Sequence, residues 1–304
     1  MISDRRRWVV LFVLIVSLLA VLLVYGIISG GDASSWKQRR VLGPIAADLV
    51  VVALFCGHES RTEYPALNVR LFRDPRLSSA ATAISLNFFA MAGVYFFMRF
   101  YLQNVRGYSP LHAGLLTTPV AIGQLVAASR SAPLVSRFGA KVVMPGGLLL
   151  VTGALTGYHS LSQKTPIVAL ELIFLLLGAG MGIVMPTATD SVMSVAPREH
   201  GGAGSAITNT SRQVAVALGV AVLGSILAQA YRNQLAPALA TLPTAARSAV
   251  TQSIAATQAV AGQLAHGRKA LLTTADQAFV YAMRLTTVVS IPAGPACAGR
   301  GVAG

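Results

Sequence analysis

The residues equipped for chemistry are few in this sequence, and they form no catalytic set. His58-Glu59 lacks the second histidine four residues on that a zinc-protease helix needs, and no Gly-x-Ser-x-Gly occurs. The glycines of GAGMG, residues 178–182, are not followed by the Gly-Lys-Ser/Thr of a phosphate loop. The five histidines are scattered, and Cys56 and Cys297 stand far apart in apolar or low-complexity surroundings, neither reading as a disulfide or metal ligand. The expectation is a protein that is not an enzyme and that uses no cofactor and no metal. What remains is a handful of polar groups embedded in apolar runs: Asp48, Asn87, Tyr95, Arg99 and Gln124. Their chemistry is recognition, by hydrogen bonding or charge, in a medium where an isolated Asp costs about 2.5 to 3.5 kcal/mol. Asp48 has two readings, a shielded placement or a role in transport. Arg99 also has two, an interfacial anchor whose stem snorkels or a charge at the mouth of a substrate path.

The elements that would position these groups are membrane helices. Hydrophobic residues make up 54% of the 304 and charged residues 11%, against about 25% charged in a soluble domain. The net charge of +14 does not indicate nucleic acid, because the Lys and Arg lie between apolar runs rather than in one aromatic-laced patch. It fits topology and attraction to anionic headgroups. With about 20 apolar residues per span, the runs read in order as 8–28, 41–57, 79–102, 111–128, 142–158, 167–191 and 214–231. Pro119 and Gly123 mark kink points in the fourth, and Glu171 and Asp190 mark the ends of the sixth. Between the second and third lies a charged connector. Residues 232–276 read as a mildly amphipathic excursion at the membrane surface, with Val250, Ile254, Ala261 and Leu264 at near-helical spacing. The last run, 278–292, includes Arg284 and is short for a span, so it reads as a truncated eighth followed by an aberrant tail.

The stretch 177–224 holds the clearest packing signal. Gly178 and Gly182 fall on one helix face, and Ala215, Gly219 and Leu223 on another. Small residues at that spacing let backbones approach closely in lipid. With the N-terminus placed in the cytoplasm, the inside segments collect Arg5, Arg6, Arg7, Arg61, Arg70, Arg73, Arg76, Arg130, Arg137, Lys141, Arg198 and Arg212. The short outside loops hold only Lys37, Arg39, Arg40, Arg106 and Lys164. Asp190 and Arg212 then flank a cytoplasmic hinge.

Four segments taken together carry a family resemblance: YLQNVRGYSPLHAGLLTTP, LVSRFGAK, GAGMGIVMP and NTSRQVAVALGVAVLG. In this order the chain resembles the C-terminal portion of the fourteen-spanner drug:proton antiporters (EmrB/QacA type) of the major facilitator superfamily. LVSRFGAK is similar to that superfamily's cytoplasmic loop motif, matched at Leu134, Arg137, Gly139 and Lys141. Ser136 and Ala132 stand where the motif has Asp and Gly, which leaves turn formation and topology as one reading and a conformational gate as the other.

The resemblance implies an all-α membrane protein, the C-terminal half of a major facilitator bundle, with about seven full transmembrane helices plus a truncated eighth. It divides the chain into two linker spans (1–60), a cytoplasmic connector (61–76), a six-helix transporter half (77–292) with an extracytoplasmic loop (232–276), and a tail (293–304). It implies export of amphipathic organic compounds by proton antiport once a missing N-terminal half is supplied, from a multi-pass position in the inner membrane. The partners expected are the lipid bilayer, an amphipathic small molecule and that missing half. Few charges within the spans suit a broad apolar substrate better than a sugar or nucleotide. The competing readings are a half serving another metabolite and a non-transporting fragment or assembly partner. Asn87, Tyr95, Arg99 and Gln124 are the substrate-path candidates, set against ordinary interhelical hydrogen bonding for the uncharged ones.

Overall fold

The computed structural model describes residues 74–195, 201–239, 250–251, 253–263 and 268–290, with the single positions 46, 50, 57 and 247. The first expected span, all of the second but positions 46, 50 and 57, Asp48, both cysteines, residues 196–200 of the hinge and the tail lie outside the described residues.

The described chain is helical and contains no strand. Helix α1 is Pro75–Phe100, continued by a π-helical turn, Tyr101–Val105. Ser109 caps α2, Pro110–Leu116, its Oγ accepting from the His112 N–H at 3.3 Å. Thr117 interrupts the chain before α3, Thr118–Phe138, where Pro119 sits in the first turn and has no N–H to continue the ladder. Gly139, with φ of 78°, is the single residue between α3 and α4, Ala140–His159. Only glycine takes that backbone conformation without strain. Then follow α5, Ile167–Val195, α6, Gly201–Leu239, α7, Ile254–Gln263, and α8, Arg268–Ser290. Five stretches are long and apolar enough to cross a membrane: Leu77–Val105, Pro110–Phe138, Ala140–His159, Ile167–Ser194 and Thr208–Leu239. The protein is an integral, multi-pass, all-α membrane protein.

Helix α5 is the hub, packed on α3, α4 and α1, while α6 packs on α1 and α8, and α8 reaches back to α4 and α7. The glycines decide how close these helices come. A Cβ on Gly178 would fall on the Val120 carbonyl, and one on Gly182 on the Gln124 carbonyl, so this face of α5 meets the α3 backbone directly. The opposite side does the same with α4, where Gly180 approaches the Gly147 carbonyl. On α6, Gly219 faces the Phe89 carbonyl of α1, and Leu223 of α6 fills the space over Gly93. Such contacts bring dispersion and close backbone packing where apolar burial alone gains little.

Three helices are longer than the sequence pattern indicates. Helix α3 runs ten residues past 128, and Ser129, Ser131 and Ser136 within it turn their hydroxyls back onto the Val126, Ala128 and Pro133 carbonyls at 2.8, 2.7 and 2.9 Å. Helix α6 starts at Gly201 and runs through the polar stretch before Arg212, where no proline breaks it before Pro237. Helix α8 begins at Arg268 and has 23 residues, about 34 Å at 1.5 Å per residue. The apolar run from 278 is therefore the later part of a longer helix, whose first turns are polar and whose Thr273 and Thr274 bond back to the Lys269 and Ala270 carbonyls. In the 232–276 excursion, Val250, Ile254 and Ala261 are buried as their spacing suggests.

Candidate functional site

The break at Thr117 shapes the site. The Thr117 hydroxyl and amide both bond the Gly114 carbonyl, at 2.7 and 3.1 Å, closing α2 before α3 begins. Beyond the break, α2 and the end of α1 stand apart and leave a cavity of about 480 Å³, floored by Phe174 and Leu177 of α5. That volume lies within the range of about 300–1,000 Å³ usual for drug-sized ligands. Helix α1 supplies the aromatic wall of Tyr95, Phe96 and Phe100, and Phe96 meets Phe100 edge-on at 5.5 Å between centroids. Tyr95 is 44% exposed. Arg99 lies on the same wall and makes no hydrogen bond or ion pair with the described residues, and Gln103 and Thr117 complete the polar lining.

Of the four substrate-path candidates, the structure brings Tyr95 and Arg99 together on this cavity. Asn87 lies elsewhere. It is 1% exposed, beside a separate void of about 10 Å³ bordered by Leu148, Thr152 and Ser290, and neither its Nδ2 nor its Oδ1 has a partner among the described residues. Gln124 sits on α3 where its carbonyl meets Gly182, below the break and outside the cavity lining.

The loop-motif residues form a corner rather than a loop. Leu134 and Arg137 occupy the last turns of α3, Gly139 makes the turn with its N–H on the Val135 carbonyl at 2.8 Å, and Lys141 lies in the first turn of α4. The Arg137 guanidinium stands over the Phe138 ring at 5.3 Å. The expected hinge is shorter than the sequence indicates: Asp190 lies within α5 and Arg212 lies 11 residues past the start of α6 at Gly201, both exposed and not paired with each other. Arg212 donates to Asn209 Oδ1 at 2.9 Å and lies over Phe88 at 5.8 Å.

Sequence reasoning missed a clamp at the opposite end. Arg106 donates to the Gln163 and Thr165 carbonyls at 2.7 and 2.9 Å, the Tyr101 hydroxyl to the Ser162 carbonyl at 2.7 Å, and Arg284 Nε to the Leu161 carbonyl at 2.9 Å. Helices α1 and α8 thus hold the α4–α5 connection by its backbone. Carbonyl acceptors carry no side-chain signature, so only the placement of Arg106 between two spans hinted at it. At the same end the Tyr231 hydroxyl and Thr257 Oγ1 are 2.7 Å apart. Asp276, in the polar first half of α8 and outside the five apolar stretches, has its Oδ1 buried without a partner among the described residues, and burial pushes its carboxyl up to about 6. No group of three or more metal-ligating side chains occurs among the described residues.

The profile of the Major Facilitator Superfamily matches residues 6–220. The chain belongs to that superfamily. As a major facilitator protein it is 36% identical over 206 residues to the tetracenomycin C resistance and export protein of Streptomyces glaucescens, covering 68% of this chain and 38% of that one. It is 32% identical over 218 residues to the multidrug resistance protein Stp of Mycobacterium tuberculosis, covering 71% and 40%. With the multidrug efflux pump LfrA of Mycolicibacterium smegmatis it shares 29% over 246 residues, covering 81% and 49%. The chain therefore spans between about two fifths and one half of these relatives. Among solved structures, an inward-facing, unoccupied bacterial homolog of the human lysosomal transporter Spinster superposes with a TM-score of 0.59 at 16% identity, covering 95% of this chain and 68% of that one. This likeness concerns the fold. Resistance and export proteins are among the relatives of this major facilitator chain.

Proposed function

We propose that this chain forms one wall of a drug-export pathway, the C-terminal half of a fourteen-spanner transporter, and that it expels amphipathic organic compounds by proton antiport when helices outside this sequence supply the other wall. The observation that carries the reading is the cavity of about 480 Å³ beside α1, apolar and aromatic with a few polar groups, in a chain whose relatives are resistance and export proteins. Major facilitator transport works by two halves rocking about a site between them, and a single half offers a cavity open on one side. Tyr95 and Arg99 line the substrate path. Asn87 and Gln124 belong to the interhelical packing that supports it. Leu134, Arg137, Gly139 and Lys141 form the cytoplasmic corner, and Asp190 and Arg212 flank the cytoplasmic hinge. The Arg106 clamp then faces outward, in keeping with the excess of basic residues at the Gly139 end and an inner-membrane orientation with the N-terminus in the cytoplasm.

The test is efflux. Proteoliposomes holding this chain alone are expected to retain a loaded fluorescent drug under an imposed pH gradient. Cells that supply it together with a six-helix N-terminal half are expected to gain efflux that a protonophore abolishes. Expulsion by the chain alone overturns the need for a second half, and efflux indifferent to the protonophore overturns proton coupling.

A further inference from the structure

The charge on the cavity wall says which compounds belong there. Among the described residues lining it, Arg99 is the one ionised side chain, and no carboxylate joins it. Its guanidinium has no hydrogen-bond or ion-pair partner among the described residues, although it sits near the end of an apolar span. An arginine stays protonated under all ordinary conditions and matches carboxylate-like groups in a planar fork. Set among Phe96, Phe100 and Tyr95, it has aromatic faces beside it on which a planar ring system can stack. The second polar lining group, Gln103, adds an amide able to donate.

We infer that this cavity selects planar aromatic compounds bearing a phenolate, carboxylate or sulfonate over lipophilic cations, and that Arg99 sets the choice. The inference rests on the cavity being a substrate site. A bound anion gives the exposed guanidinium a counter-charge that no described lining residue provides, through charge-assisted hydrogen bonds stronger than neutral ones. A lipophilic cation of the same shape gains the ring contacts but meets a like charge and no carboxylate among the described lining residues, and like-charge placement is one way binding sites reject a wrong ligand. The other acids on the helices that wall the cavity do not offset this: Asp74 is at the far end of α1, and Glu171 and Asp190 of α5 lie outside the lining.

The test uses the whole chain in nanodiscs of zwitterionic phosphatidylcholine and two dyes on one xanthene ring system, anionic fluorescein and a cationic rhodamine ester, followed by fluorescence anisotropy. Fluorescein is expected to bind saturably and about tenfold tighter than the rhodamine. Arg99→Gln is expected to weaken fluorescein about tenfold while leaving the rhodamine within about twofold. Arg99→Lys, which keeps the charge but not the fork, retains the preference at lower affinity. Because the chain carries a net +14, Arg130→Gln, an exposed cation outside the lining, serves as the control for unspecific attraction and should move neither dye. Tighter binding of the rhodamine, equal loss of both dyes in Arg99→Gln, or an Arg130→Gln effect matching it overturns the inference. Saturable binding of both dyes without preference overturns the charge selectivity and leaves the site standing, whereas saturable binding of neither overturns the site itself and the inference with it.

Discussion

Helix α3 makes two different kinds of neighbour along its course. Below Pro119 it lies against α5 with backbone on backbone, because Gly123, Gly178 and Gly182 leave nothing between the two chains. Above the break the same segment leans off as α2, and between it and α1 there is a cavity instead of a seam. The sequence difference is small: small residues at four-residue spacing in one place, a Thr-Thr-Pro interruption in the other. The consequence is large. A seam without side chains fixes the helix pair as a unit, and a break just past it opens a wedge without loosening that unit. Close packing and an open wedge are thus separated along one span.

Filling the seam should have the largest effect. Gly178→Leu drives a side chain into the Val120 backbone and should cost at or above the upper end of the about 1–3 kcal/mol typical of overpacking, read as lost folded protein or a lowered Tm in detergent. The control is Gly153→Ala, whose added Cβ would meet Leu176 Cδ2 at an ordinary 3.5 Å. It should hold or raise the Tm, since alanine is favoured over glycine within a helix by about 1 kcal/mol. An unchanged Tm in Gly178→Leu would break the seam side of the comparison. The wedge side is challenged by Pro119→Ala, which restores an N–H and lets α2 and α3 become continuous. Saturable dye binding should weaken severalfold with the Tm held or raised, and unaltered affinity would mean that the break does not shape the cavity.

A smaller effect is expected at the rim of the wedge. Arg106→Gln removes two charge-assisted bonds to the Gln163 and Thr165 carbonyls, a loss of about 1.5 kcal/mol given the about 1.5–3 usual for bonds to charged groups and the partial exposure here. Faster hydrogen exchange confined to the amides of the α4–α5 connection is the direct readout. The smallest effect belongs to Asp276. Its folded carboxyl titrates at about 6, above the ordinary 3.8, so the folded state holds the proton over the interval in which the unfolded state has lost it. Stability is then fully present below about pH 4 and declines as the pH rises through about 6. Asp276→Asn should flatten that slope in detergent thermal scans, and an unaltered slope would assign the pH dependence to other groups.

The parts of this architecture that sequence revealed are those governed by backbone chemistry. Glycine spacing foretold that α5 and α6 present faces for close backbone approach, though not that α3 and α1 meet them, while Pro119 foretold a kink and Gly139 a turn, because each acts through a local conformational rule. The parts it concealed depend on partners. Serines and threonines looked like loop residues in 129–136 and 208–211, yet in 129–136 they sit within α3, their hydroxyls turned onto carbonyls of their own helix. Polarity alone did not separate Tyr95 and Arg99, which reach the cavity, from Asn87 and Gln124, which do not, since the facing of a residue depends on neighbours far along the chain. The clamp on residues 161–165 was hidden for the same reason: its acceptors are main-chain oxygens.

The π-helical turn at Tyr101–Val105 carries a consequence for how the sequence tolerates change in length. Its Arg106 N–H reaches the Tyr101 carbonyl at 2.9 Å, five residues back, so this turn contains one residue more than an α-turn. The widened ring leaves the Asn104 carbonyl for Gln258 Nε2 at 2.7 Å, tying the turn to α7. Loss of a single residue here converts the turn to ordinary α-helix and preserves the register of everything before it. The same deletion in the middle of α1 would swing the rest of the helix by about 100° and carry Tyr95 and Arg99 away from the cavity. The turn is where this span has slack, and shortening by one residue between Tyr101 and Val105 is the length change it should survive.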